Sequence, residues 1–404
     1  MILSKAEEGE MVISLKDWRK ALKTPPSYRV GKNAQKYQIQ LLGIVTGISL
    51  LLLYFFYSTE EVSTISSDHQ FSNGSSGGYQ SLVQPFNYDS TYPLTKPVHM
   101  QDTIHYKIGL VSDMDHSSKS KLESNTWISY YLQGTLVWNP NVKTVNVFFD
   151  KNNYKTLKTK FSHNSRGMEL SELVTFNGKL LSFDDRTGLV FIIEDDNAYP
   201  WLLLTDGDGK TNKGFKAEWA TVKNGYLYVG SMGKEWTSPQ GELVNFNPMW
   251  VKRISANGEI VSLDWKENYK SLRSELQIYF PGYMLHESGV WSGIHKKWFF
   301  LPRRMSHERY NEEKDEEMGT NVLLSCDEEF KTFEVIHIGE VLPTHGFSSF
   351  KFIPGTNDEV IVALKTEEFH GRIATYITAF TIHGIVLLNE TKIDDIKYEG
   401  FEFI

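Results

Sequence analysis

An all-β fold, a five-bladed β-propeller, is what this sequence predicts for residues 104–404, and three observations carry it. From about Thr103 the chain becomes a succession of short apolar runs split by turn signals. Two of them, "FNGKLLSF" and "KNGYLYVG", hold Asn-Gly between apolar runs, the strongest short hairpin signal. Five segments then repeat one pattern: a small acceptor-bearing residue, an apolar or aromatic position, a turn, and a more apolar second strand. Their polar heads are Ser171, Glu218, Glu287, Ser348 and Glu399, which recur every 47 to 69 residues. That period suits propeller blades of four strands each. An aromatic share of 13% agrees with a β-rich core.

In chain order, residues 1–38 read as a cytosolic tail carrying a net charge of +4, which leaves the remainder at −12. Ile39 to Tyr57, "IQLLGIVTGISLLLLYFFY", holds nineteen residues without a charge. At about 1.5 Å per residue it nearly spans a hydrocarbon core of about 30 Å. The basic excess before it and Glu60 and Glu61 after it predict a single-pass type II anchor, with the C-terminal part facing a lumen or the cell exterior. Residues 58–103, rich in Ser and Gly at their start, read as a flexible stem. Two sequons, at Asn73 and Asn389, agree with a secretory route. Within the propeller the best helical segment is Lys266 to Gln277. The fifth repeat supplies one strand before Ile404, so its sheet partners are expected near "HYKIGLVSD", closing the ring.

Composition excludes several chemistries. Net charge is −8 and the pI about 5.9, which argues against a nucleic-acid surface. Cys326 is the one cysteine, so no internal disulfide, thiolate zinc site or CxxC centre can form. No P-loop, GxGxxG, GxSxG or HExxH occurs. In a propeller the first strand of each blade lines the axis, so the five polar heads converge. Three carboxylates and two hydroxyls meeting there would repel without a cation, and an all-oxygen set suits Ca²⁺.

Loops hold further candidates. Asp113 and Asp115 end the first strong strand, Asp184, Asp185 and Arg186 sit in "FDDRTG", and "GKEWT" holds Glu235 and Trp236. "FLPRRMSHERY" places Arg303 and Arg304 beyond a buried strand, and paired arginines can clamp phosphate oxygens. "TDGDG" lacks the distal glutamate of an EF-hand and reads as a turn.

"RGMELSEL", "FDDRTG", "DGDG", "GFKAEW", "YVGSMGKEWT", "HES", "WFFLPRR", "ERY", "PTHGFSSFKFIPGT" and "KYEGFEFI", in that order from about His105 to Ile404, resemble the calcium-activated nucleotidase (apyrase) family. Its members include vertebrate Golgi and endoplasmic-reticulum nucleoside diphosphatases and salivary apyrases of blood-feeding arthropods. The resemblance implies a five-bladed propeller with a central Ca²⁺ and Ca²⁺-dependent hydrolysis of nucleoside di- and triphosphates such as UDP and GDP. It places the calcium ligands on Ser171, Glu218, Glu287, Ser348 and Glu399. The anchor and stem look like those of the membrane-bound members, which implies a Golgi, endoplasmic-reticulum or cell-surface location; a homodimer is one possible state. The mechanism inferred is metal-assisted phosphoanhydride hydrolysis. Asp113, Asp115, Asp184, Asp185 or Glu235 would take the water's proton, Arg186, Arg303 and Arg304 would bind phosphate, and Trp236 would stack on a base. A calcium propeller acting on lactones and a non-catalytic binding propeller are the rival readings.

Overall fold

The computed structural model describes residues 88–404. The tail, the apolar run Ile39 to Tyr57, most of the stem and the Asn73 sequon lie outside them. Among the described residues no helix is long and apolar enough to cross a membrane.

Five antiparallel sheets form a ring, as the repeats predict. Blade one comprises Leu170–Phe176, Lys179–Asp184, Leu189–Glu194 and Asn197–Leu203. Blade two comprises Trp219–Lys223, Tyr226–Gly230, Trp250–Ile254 and Ile260–Asp264, with a small hairpin, Trp236–Thr237 and Leu243–Asn245, inserted after its second strand. Blade three comprises Tyr283–Ser292, Lys297–Ser306, Val322–Asp327 and Phe333–His337. Blade four comprises His345–Phe352, Val360–Phe369, Arg372–Thr381 and Val386–Asp394.

Blade five joins the two ends of the described chain. Its innermost strand, Tyr398–Phe403, pairs antiparallel with Thr103–Ser112, which continues to Trp127–Asn139 and Thr144–Phe149. Two short strands, Val98–Met100 and Lys155–Thr159, extend this sheet. The expected closure through "HYKIGLVSD" is thus observed, with Leu110 opposite Phe401. From Tyr88 onward the stem residues lie on the propeller: the Asp89 N–H donates to Asn177 Oδ1 at 2.9 Å and the Tyr92 hydroxyl to Glu402 Oε1 at 2.9 Å.

Local chemistry explains the elements. Both Asn-Gly pairs form the tight turns between first and second strands, with positive φ at Asn177, Gly178, Asn224 and Gly225. The helix spans Lys266–Ser274, one turn shorter than expected, because Leu276 and Gln277 fold back in i→i+3 turns onto Arg273 and Ser274. It buries Tyr269 and Leu272 among Trp219, Trp265, Trp298 and Phe300, the aromatic core between blades two and three. Such rings bury large apolar area, and their edge-to-face contacts add about 0.5–1.5 kcal/mol per pair. Trp265 and Trp298, 5.0 Å apart at 85°, are one of them. Gly230 lies under the Trp219 indole, where a Cβ would sit 2.0 Å from the ring. "TDGDG" is a turn, closed by a bond from the Gly209 N–H to the Asp206 carbonyl.

Candidate active site

The inner strands, in ring order 170–176, 219–223, 283–292, 345–352 and 398–403, stand side by side around the axis. A bulge marks four of the five polar heads. Pairing register slips across Ser171, Glu287 and Ser348, and Glu399 faces a slip between Val111 and Ser112. Glu218 sits one residue before its strand, its N–H bonded to the Gly230 carbonyl at 2.8 Å. An extra residue in an edge strand re-aims its side chain out of the alternating pattern. Here the slips fall at the polar heads of four blades.

The chemistry of this ring is that of a site needing a cation. Glu218, Glu399 and Ser348 are buried, and the Glu287 side chain is 15% exposed. Burial lifts Glu218 to about 8 despite Lys216, 2.6 Å away, and Glu287 and Asp185 push it the same way. Burial also raises Glu399 and Glu287; the Glu287 carboxylate pushes Glu399 further up, and Glu368 does the same to Glu287. Ser348 Oγ is buried with no hydrogen-bond partner among the described residues. Ser171 Oγ donates to the Ala217 carbonyl at 2.6 Å. An orphaned hydroxyl beside three carboxylates that resist ionisation is a donor set that fits Ca²⁺.

Internal cations bind the ring to its surroundings. Arg303, buried, contacts Glu287, Glu368 and, at 3.3 Å, Glu399, and donates to Thr366 Oγ1 at 2.6 Å. Lys397 bridges Asp113 at 2.8 Å and Asp115, Glu368 and Glu399 at 3.3 Å each. Lys216 joins Glu218 to Asp185. Arg166 joins Asp115 to Glu169, and Arg186 Nε lies 3.5 Å from Glu169. Oxygens of Asp113, Asp115 and Glu169 all fall within 4.8 Å of one another.

The sequence candidates therefore divide. Asp113, Asp115, Asp185 and Arg186 stand with the ring at one mouth of the axis. Burial would raise Asp113, but Lys397 outweighs it and holds the carboxyl below its usual range. Asp184 is raised by burial to about 6, and its oxygens accept the N–H groups of Met168, Arg186 and Thr187; it ties the turn. Glu235 is clamped by Arg273 through two bonds of 2.8 Å, both residues buried, and Arg273 overcomes the burial effect to lower its pKa. Trp236 is half-buried with Lys213 Nζ 4.4 Å above its ring. Arg303 is occupied by carboxylates, and Arg304 is buried, with Nη1 3.4 Å from the Pro343 carbonyl.

Sequence reasoning passed over Glu169, Lys216, Glu368 and Lys397. Glu169 is fully buried, and burial, outweighing Arg166, lifts it to about 7. A signal existed: Lys216 and Lys397 each precede a polar head by two residues, as Glu169 precedes Ser171.

The sequence pattern of the apyrase family matches residues 114–404. The chain belongs to the apyrase family. It is 49% identical over 379 residues to an apyrase of Cimex lectularius, covering 94% of this chain and 99% of that protein. It is 51% identical over 317 residues to the soluble calcium-activated nucleotidase 1 of Rattus norvegicus, covering 78% of each. It is also 41% identical over 374 residues to Apyrase apy-1 of Caenorhabditis elegans, covering 92% of this chain and 98% of that protein. Membership in the apyrase family makes this chain a nucleotide-hydrolysing enzyme with nucleotide substrates.

Proposed function

We propose that this apyrase is a Ca²⁺-dependent nucleoside diphosphatase acting on UDP, GDP and the corresponding triphosphates. The observation that carries this reading is the ring of Glu218, Glu287 and Glu399 around the unpartnered Ser348 hydroxyl. Ser171, Glu218, Glu287, Ser348 and Glu399 would hold the ion. When bound, Ca²⁺ supplies positive charge and Lewis-acid polarisation to phosphate oxygens.

The remaining work falls to side chains. Arg186, one-third exposed at the mouth, offers guanidinium N–H donors to phosphate. Arg303, enclosed by carboxylates, fixes Glu287 and Glu399 rather than substrate. Glu169 takes the proton of the attacking water. A base works best with a pKa near the operating pH, and its value of about 7 meets that where Asp113, held low by Lys397, does not. The basic flank of the 39–57 run supports anchorage with this mouth in a secretory lumen or outside the cell, where glycosyl transfer yields UDP and GDP.

Phosphate release from UDP, followed against Ca²⁺ concentration, tests the reading with Glu218→Gln. Outer-shell partners alone shift metal affinity by roughly 10–100-fold, so loss of a direct ligand should exceed that. Wild-type turnover at the same Ca²⁺, in a folded variant, would overturn the axial assignment.

A further inference from the structure

At the mouth opposite the carboxylate ring, the inner strands end around a cavity of about 460 Å³. Each strand contributes one polar residue to its wall: Thr175, Thr221, Trp291, Lys351 and Glu402. The segment from Tyr88 to Tyr92 crosses the opening, with the Tyr88 ring 5.6 Å from Phe176. Val222, Val290 and Phe352 add apolar surface. Thr175 lies four residues along its strand from Ser171, roughly 13 Å at strand rise, so this is a separate chamber on the same axis.

The hydrogen-bonding state of the wall is lopsided. The acceptors of its inner strands are engaged. Glu402 Oε1 receives the Tyr92 hydroxyl and the Phe403 N–H, and Oε2 receives the Thr175 N–H at 2.9 Å. Thr221 Oγ1 receives the Trp291 N–H, and Asp358 receives the Ser292 hydroxyl. Its donors are not. Thr175 Oγ1 and Trp291 Nε1 are buried without a partner among the described residues. Lys351 Nζ lies 3.1 Å from Glu172 Oε2, yet out of line for a hydrogen bond. Buried donors in native proteins are almost always satisfied, so a set left free around one cavity calls for an occupant.

We propose that this cavity is a second small-molecule site for an uncharged ligand of nucleoside size, presenting carbonyl or hydroxyl acceptors from an apolar ring. A cation would add to the free donors of Thr175, Trp291 and Lys351, and Glu402 is already engaged by three N–H and O–H groups. An anion would meet Glu402, while the nearby ammonium is already neutralised by Glu172.

Uridine is the probe. Isothermal titration of the full chain with uridine, with Ca²⁺ chelated, should give saturable one-to-one binding, and UMP should bind there more weakly. Thr175→Val deletes one free donor at nearly constant shape, and Trp291→Phe deletes another together with part of the ring. Each should weaken uridine binding about three- to tenfold and leave the KM for UDP unchanged. Those unchanged kinetics also show that the variants fold. No saturable binding up to roughly tenfold the millimolar range typical of a weak site would mean a hydrated cavity and end the proposal. So would saturable binding that neither substitution moves, which would place uridine at the catalytic mouth.

Discussion

Arg303→Met removes the guanidinium that holds the ring carboxylates together. Arg303 is 4% exposed and contacts Glu287, Glu368 and Glu399. Breaking a buried ion pair from one side costs about 3–5 kcal/mol. Lys397 remains 3.3 Å from both Glu368 and Glu399, so those two keep a counter-charge. Among the described residues Glu287 has no other cation within 4 Å, so the loss concentrates there and falls near the lower bound, about 3 kcal/mol. With an unfolding entropy of about 2.1 cal/mol/K per residue, a propeller of this size should lose about 4–5 °C in Tm. Differential scanning calorimetry with a chelator present measures it. Burial already raises the Glu287 pKa, and Arg303 opposes that rise; without Arg303 it climbs further. A carboxyl with a raised folded pKa contributes stability at low pH that is lost as pH climbs, so the deficit should be smaller at pH 5 than at pH 8. A shift below about 1 °C, or one equal at both pH values, refutes the idea that Arg303 compensates the ring.

Three further outcomes are expected. Glu169→Gln should lower kcat for UDP by about 10²–10⁴-fold, and the wild-type rate should rise with pH through the value of about 7 that burial gives Glu169; a variant retaining that rise assigns the base elsewhere. Glu235→Gln leaves the buried Arg273 with a neutral partner and should destabilise the fold by a few kcal/mol while specific activity stays within roughly threefold; a large fall in kcat at unchanged Tm would restore Glu235 to the chemistry. Gly400→Ala places a Cβ 2.6 Å from the backbone of Glu172 and Leu173, so the inner strands must part, costing about 1–3 kcal/mol; unchanged chemical denaturation would show that they yield freely.

The fold was readable because each blade repeats the same local grammar. Asn177-Gly178 and Asn224-Gly225 fix two hairpins by backbone chemistry alone, and the polar heads recur ahead of a more apolar second strand. Bulges were not readable, since an extra residue in a strand leaves no mark on composition, yet they fall at Ser171, Glu287, Ser348 and Glu399. Glu235 shows the other limit. Its partner Arg273 is 38 positions away on a helix, so a free carboxylate and one held by a buried guanidinium look identical in sequence. Lys397 and Asp113 meet across 284 positions through ring closure. That pairing could be inferred only after the closure itself.

Ring closure also sets the order in which this protein comes to exist. The strand Tyr398–Phe403 is the last described strand to be synthesised, yet it occupies the innermost place in a sheet begun by Thr103–Ser112. It carries Glu399, and Lys397 just before it reaches Asp113 and Asp115. Contacts between such distant segments form late, because loop closure must precede any gain from them. Until Tyr398–Phe403 pairs with Thr103–Ser112, blade five stays open, Glu399 has no place on the axis, and Lys397 cannot reach Asp113 or Asp115.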